Sequence, residues 1–398
     1  MRMGFGFGLC KGNGGPSPAF DSNFLAGTLP PGLTYTNSST ARAWWDASGT
    51  RRTAVANEPI FETLGGTLQG MRWEMEQRTN LATNSEGAAA TWSTASNVTD
   101  AGTSITGFGA SLAFGDNSVG RTAYKTAVTV DATRYTISVF VQMDDGLAPV
   151  VGINATSGDF SLVIEGDVAT LNATVQHIAG SLYRVSVGKV AVAPINNNNG
   201  ILKYTTQSAR TFRVAGIQLE AGASASSYIP TAAAAVIRQP DVLTATSISP
   251  WFNALEGTVV FEGIAMDLIK QGDVRGAYSF HDGSGNNIIG VYHSVTGVLT
   301  NYIRASGVNQ ASNAVGNGSV VGTVTRNVQV YKENNFLLSM NGGAVAADTL
   351  GSVPIVNSLR LGAGGYNNAA SQFMGYARRF SCYPKAFPQA QVQGMSRV

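Results

Sequence analysis

A chain of 398 residues is too long for one small domain and suits two or three ordinary ones. Only 13% of its residues are charged, its net charge is +2, 47 residues are glycine and 44% are hydrophobic. A core can form, but the polar surface must come from Ser, Thr, Asn, Gln and Gly. That excludes a concentrated basic nucleic-acid footprint, a charge-driven disordered chain and many long solvated helices.

Residues 1–22 are rich in Gly, Pro and Ser and read as a flexible or partner-ordered arm. The apolar stretch from Met3 to Leu9 is short and broken by glycines, so it does not make an export signal. No run of about 18 apolar residues follows, so no helix is expected to enter a membrane. Leu33–Thr36 alternates like a strand. Ala43-Trp44-Trp45 runs into the turn Asp46–Gly49, and Arg51–Val55 returns as the second strand of a hairpin. Successive side chains alternate, so Trp44 and Trp45 cannot share a face. One of them must be exposed or covered by another domain or subunit, which makes this region the candidate assembly surface.

Residues 63–236 read as one β-rich domain. Leu68–Met75 is a strand candidate, and Arg134–Met143 places Tyr135, Ile137, Val139 and Val141 on one face with Phe140 on the other. Further strands are expected at 159–164, 181–192 and 210–219. In the last, the apolar phase slips at Gly216, which signals a bulge. Residues 224–240, rich in Ala and Ser, read as a linker or crossing segment. Residues 237–398 give a second β-rich domain. Its strands are expected near 257–266, 277–282, 286–293, 298–305, 320–325, 328–331, 336–340, 358–361 and 373–383, with a type I′ signal at Asn341-Gly342. Only residues 388–396 look helical. The expected fold is therefore all-β: an N-terminal attachment region (1–62), a jelly roll (63–236) and a sandwich (237–398).

Chemistry-bearing patterns are sparse. The two cysteines, Cys10 and Cys382, lie at opposite ends of the chain and read as unpaired thiols. The histidines have no metal-ligand spacing. There is no G-x-S-x-G, no phosphate-binding G-x-x-x-x-G-K loop and no dinucleotide fingerprint, so no cofactor is implied. Glu74 and Glu76 share a strand face roughly 7 Å apart, which suits a glycosidase pair. Arg72 and Arg78 beside them give the plainer reading of ion pairs. Gln77–Asn80 reads as a structural turn in which Arg78 clamps carbonyls or Glu76, the alternative being an inter-subunit contact. Asp282 and Asn286 flank an oxygen-rich turn that is either a plain hairpin or a weak Ca2+ site. Aromatic faces beside amides suit sugar rings. On that ground Tyr292, His293 and Tyr302, together with Tyr366, Asn367 and Asn368, are candidate glycan contacts.

Three sets of residues resemble segments of tailed-bacteriophage virion proteins. They are Leu33–Ala41 with Trp45–Gly49 and Ala54–Pro59; Glu76–Leu81 with Asn84–Glu86; and Gly216–Gly222 with Ser226–Thr231. In that family such blocks bracket a jelly roll that resembles a carbohydrate-binding module. The closing block Phe373–Pro384, with a short helix at Gln389–Gln393, resembles a concanavalin A-like (laminin G-like) sandwich. The resemblance implies a non-enzymatic fibre, spike or decoration protein of a virion, made in the host cytoplasm without an export signal. It implies other virion proteins as partners and a homo-oligomer, with a trimer as the family's form. The expected ligand is a host-surface polysaccharide, while the low charge and the lack of a long apolar run leave no nucleic acid and no membrane insertion to expect. A ligand-free decoration protein and a polysaccharide depolymerase are the alternatives.

Overall fold

The computed structural model describes residues 17–86, 93–94, 98–115, 120–124, 134–154, 161–165, 173–190, 199–203, 209–267, 274–294, 296–316, 320–365 and 372–398. Cys10 and the candidate contacts Tyr366, Asn367 and Asn368 lie outside the described residues. The fold is all-β, built from tandem sandwiches.

The larger sandwich has two eight-stranded sheets. The first runs Ala346–Asp348, Phe336–Met340, Val324–Lys332, Glu256–Ala265, Met374–Tyr383, Thr67–Glu74 and Phe61–Leu64. Phe20–Asn23 pairs with the far end of Met374–Tyr383, at Arg379–Cys382. The second runs Thr34–Thr36, Val242–Ala245, Ser358–Leu361, Arg275–His281, Ile288–His293, Leu299–Ala305 and Val308–Ala311, with Ala314–Val315 also on Leu299–Ala305. Between them lies one core holding Trp73, Phe261, Tyr278, Phe280, Leu361 and Phe380.

These pairings cross the expected domain boundaries at 62 and 236. The segments Phe20–Asn23, Thr34–Thr36 and Phe61–Glu74 are strands of the C-terminal sandwich, and Phe24, Tyr35 and Trp73 belong to its core. The arm expected over residues 1–22 therefore ends in a strand. Its composition (Phe-Asp-Ser-Asn) has little β-propensity, and pairing with Met374–Tyr383 is what orders it.

The jelly roll stands between these two parts of the sandwich in sequence. One sheet runs Ala173–Ala179, Leu182–Val190, Arg134–Met143, Phe212–Ala221, Leu112–Phe114 and Val98–Asp100. The other runs Val151–Asn154, Ser161–Ile164, Asn199–Lys203, Gly120–Tyr124 and Ser93–Thr94. As the alternation predicts, Tyr135, Ile137, Val139 and Val141 point into the core between these sheets. Phe140, on the opposite face, belongs to a separate cluster that joins the two sandwiches: Trp45 and Ala43 from the hairpin, Ile178, Ala215 and Tyr228 from the jelly-roll side, and Ile264 and Tyr376 from the larger sandwich. Arg134–Met143 is thus buried on both faces over most of its length.

The bulge sits where the phase slip places it. Ser138 pairs with Gln218 but Phe140 pairs with Ala215. Gly216 adopts φ +64°, and a Cβ there would press on the rings of Phe108, Phe140 and Tyr228. The expected linker 224–240 is instead largely structural. Ser226, Ser227, Tyr228, Ile229, Thr231 and Arg238 are buried, and Val236–Arg238 pairs with Arg78–Asn80. The helix Gln389–Met395 packs Val392 against Val260, Val328 and Leu337 on the outside of the first sheet.

Candidate functional site

The motif residues converge on the junction between the sandwiches, where they form a buried polar network. Arg72 donates to Glu62 (3.0 Å), to Glu74 (2.8 Å) and to the Tyr376 hydroxyl (2.6 Å). Glu74 also accepts from the backbone N–H and the hydroxyl of Ser227, each at 2.6 Å. Burial pushes its carboxyl up, but Arg72, Arg238 and the Ser227 bonds outweigh this and hold it well below the usual range. Arg78 clamps the Ala221 carbonyl and Glu76. Asn80 accepts from the N–H groups of Ala82 and Leu219 and donates to the carbonyls of Ile217 and Ile229. Asp241 gathers Tyr35, Asn37, Arg42 and the N–H of Glu74.

Glu74 is fully buried and Glu76 faces Arg78 and Arg275, so the two acids hold the junction and present no open carboxylate pair. The turn expected over Gln77–Asn80 is instead a short strand, Arg78–Asn80, ordered by its pairing with Val236–Arg238, and the Arg78 clamp on Glu76 and a backbone carbonyl is present. Trp45 is 2% exposed and tilts over Phe140 with ring centroids 4.6 Å apart. It is covered by another domain of the same chain, while Trp44 is half-buried.

The second sheet of the larger sandwich presents a different surface. Ile289, Val291, Leu299 and Ile303 point into the core, so alternation sends Gly290, Tyr292, Thr300, Tyr302 and Arg304 to the outer face. Tyr292 lies opposite Thr300 and Tyr302 opposite Gly290. The two tyrosines are therefore diagonal neighbours, roughly 7–8 Å apart at the backbone, and both are half-buried. Gly364 rests its backbone on this face beside Gly276 and Gly290, where a Cβ on either glycine would meet it.

A row of paired residues crosses the same face: Thr34, Thr244, Arg360, Ser279, Gly290 and Tyr302. Arg360, Ser279, His281 and Arg304 carry no sequence motif. Only strand neighbourhood brings them together. His281 is held low by burial and by the nearby Arg360.

His293 does not belong to this surface. It is 1% exposed on the core side, and burial alone pushes its imidazole down to about 4, so it cannot touch a sugar. At the Asp282 turn, one carboxylate oxygen accepts from the N–H and hydroxyl of Ser284 and the other from the Asn287 amide. Asn286 donates its backbone N–H to the Ser284 hydroxyl. The turn's own donors thus occupy the carboxylate, and the hairpin explains these residues. Among the described residues no group of three or more His, Cys, Asp or Glu is placed to hold a metal, and no helix is long and apolar enough to cross a membrane.

No protein-family model matches the chain, and no curated protein matches its sequence. Among solved structures, the CBM40 module of the Ruminococcus gnavus IT-sialidase, bound to α2,3-sialyllactose, is similar over 36% of this chain and 84% of that one, with 13% identity and a TM-score of 0.32. A leech intramolecular trans-sialidase is similar over 37% of this chain and 24% of that one, with 13% identity and a TM-score of 0.31. The SAP-like pentraxin of Limulus polyphemus is similar over 36% and 70%, with 12% identity and a TM-score of 0.29. Likeness at this level assigns neither ligand nor activity to this chain.

Proposed function

We propose that this chain is a non-catalytic structural subunit of a tailed-bacteriophage virion, of the fibre or spike kind, that recognises a host-surface glycan. The observation that carries the glycan reading is the pair of half-buried tyrosines, Tyr292 and Tyr302, diagonal to each other on the outer face of the second sheet. Ring faces of this kind stack on sugar C–H surfaces, and Thr300 lies directly opposite Tyr292 on the same face. The virion reading rests on the residue blocks at 33–59, 76–86 and 216–231. Partners in that setting are other virion proteins and further copies of this chain, a trimer being the form the resemblance implies.

The test is adsorption of the full chain to host cells and to a glycan array, with Tyr302→Ala and Tyr292→Ala beside the wild type. Loss of binding in both variants, with unchanged melting temperature, supports the reading. Binding indifferent to both substitutions would remove this face from the function, and no binding at high valency would leave a purely structural decoration role. Release of reducing ends or unsaturated products from host polysaccharide would favour the depolymerase alternative instead.

A further inference from the structure

We propose that the segment Phe5–Leu9 of the glycine-rich arm docks on one end of the larger sandwich, in a groove formed by residues 246–254 and 356–358 of the same chain. The proposal is independent of the glycan reading and assigns a binding surface elsewhere on the sandwich.

That end carries the most exposed apolar side chains. Among the large apolar residues described, Ile355, Leu255 and Leu350 are the three most open to solvent, at 81%, 77% and 73%. Register brings them together. Leu255 precedes Glu256, which pairs with Lys332, and the turn beyond Lys332 is tied to the loop of Leu350 by the Asn334 N–H and the Gly351 carbonyl. The same loop runs through Ile355 to Asn357, whose N–H donates to the His281 carbonyl. Beside these residues lies a groove of about 370 Å3, lined by Ile248, Phe252, Ala254 and Val356 together with hydroxyls and one amide, and by no charged residue. Phe252 stacks on Tyr331 with centroids 5.2 Å apart and packs on Phe280 at 4.8 Å, so its ring is engaged within the sandwich and is not offered to a sugar. An uncharged groove with an exposed apolar rim suits an uncharged apolar peptide.

The occupant follows from where the chain emerges. Residues 1–16 lie outside the described residues. The Ala19 N–H donates to the Cys382 carbonyl, and Phe20 stacks on Trp251 with centroids 4.4 Å apart. The pairing with Met374–Tyr383 is antiparallel, so residues before Ala19 lead toward Pro384, whose carbonyl accepts from the Asn253 amide. The arm is therefore rooted beside residues 251–254, which also border the groove. Eight residue steps separate Leu9 from Ser17, and they span up to about 26 Å when extended. Composition agrees with position. Met3–Cys10 carries no charge, and within it Gly4, Gly6 and Gly8 alternate with Phe5, Phe7 and Leu9. In an extended chain the three apolar side chains share one face with a repeat of roughly 6.6 Å, and glycines let a backbone lie close to the surface it meets. So short a tether gives the segment a high effective concentration at its own groove, which favours it over a neighbour's arm.

The arm carries its own probe, Cys10, while the chain's other cysteine, Cys382, is buried. Ala254→Cys, at an exposed position of the groove, and Leu147→Cys, exposed on the jelly roll, are introduced singly into the full chain. Each is oxidised over a range of protein concentrations and read by non-reducing electrophoresis and peptide mapping, with thermal melts to show that it folds. The expected result is an intrachain disulfide between Cys10 and position 254 that forms at least about tenfold faster than one with position 147 and does not depend on concentration. Phe5→Ser combined with Phe7→Ser slows it by at least about tenfold and speeds hydrogen exchange of the amides at 246–254. A rate unchanged by loss of both rings, or equal rates at positions 254 and 147, would overturn the proposal, since either describes a loose tether. A disulfide between chains that grows with concentration would give the groove to a neighbour's arm and overturn the choice of occupant. No disulfide with position 254 or, in Ser249→Cys, with position 249 would remove the arm from the groove, and so would exchange at 246–254 that the two serines leave unaltered.

Discussion

Glu74→Gln tests the junction most directly. One Glu74 oxygen accepts from Arg72 at 2.8 Å and from the Ser227 N–H at 2.6 Å, and the other accepts from the Ser227 hydroxyl and faces Arg238 at 3.7 Å. Arg72 and the Ser227 N–H both donate to one oxygen, so an amide keeps its carbonyl there and turns its NH2 toward the Ser227 hydroxyl, which can accept, and toward the Arg238 cation, which cannot. The substitution also leaves Arg72 and Arg238 with less compensating charge in a site sealed from water. Removing one partner of a buried ion pair costs about 3–5 kcal/mol, a large share of the roughly 5–15 kcal/mol that stabilises a domain. The assay is urea denaturation followed by tryptophan fluorescence at several pH values. The folded carboxyl lies below its unfolded value near 4.3, so its contribution is complete above about pH 4.3 and fades as pH falls further. The difference between wild type and variant should therefore shrink in acid. A loss under about 1 kcal/mol at pH 7, or a difference that stays constant from pH 7 to pH 3, would refute this account of Glu74.

Three further outcomes are expected. Gly222 has φ +139°, and a Cβ there would overlap the Arg78 guanidinium. Gly222→Ala should lower the melting temperature by a margin that shrinks in an Arg78→Ala background, with the backbone strain at this positive φ remaining, and fully additive losses would show that the two residues do not share one space. Trp45→Ala removes a ring packed on Phe140 and Phe108 and should cost about 3–5 kcal/mol, with faster proteolysis between the sandwiches; an unaltered digestion pattern would argue against its joining role. Burial pushes the Cys382 thiol up to about 12, so native protein should resist alkylation at this residue that the urea-unfolded chain accepts. Rapid native labelling at Cys382 would contradict its buried position.

The local pattern in the sequence settles what depends on neighbours. Arg134–Met143 is a strand with the faces its alternation predicts, and Asn341-Gly342 makes a tight turn with both residues at positive φ and Gly343 donating to Met340. What depends on distant pairing is not legible. Phe20–Asn23 carries two strong turn-formers and becomes a strand only against the other end of the chain. Residues 224–240 read as a linker or crossing segment because they are rich in Ala and Ser, yet within them Ser226 bonds Glu220, Ser227 bonds Glu74 and the Ile229 N–H bonds Gln218. The candidate site divides in the same way. Tyr292 and Tyr302 stand out as aromatic residues on a predicted pair of strands. Arg360 does not, because nothing in its own segment says that Ser279 will lie beside it.

The scarcity of charge also changes meaning once the junction is seen. Six arginines (Arg42, Arg72, Arg78, Arg184, Arg238 and Arg275) and six acids (Glu62, Glu74, Glu76, Glu220, Asp241 and Asp267) meet where the two sandwiches join, and nearly all are buried. In a chain with 26 basic and 24 acidic residues, that is about a quarter of the charge. Buried pairs add little net stability compared with apolar packing of the same volume, because desolvation offsets the attraction. What they add is direction: a guanidinium fork accepts its partners in few geometries, whereas an apolar face tolerates sliding. The apolar cluster around Trp45 and Phe140 holds the sandwiches together, and the ionic network fixes their angle. The outer face bearing Tyr302 and Arg360 is thereby carried at a set orientation to the jelly roll. Small-angle scattering of the full chain should fit one rigid arrangement at both low and high salt, since the pairs are shielded from screening. A profile that needs an ensemble of orientations, or that broadens as salt is added, would show that the network does not set the angle.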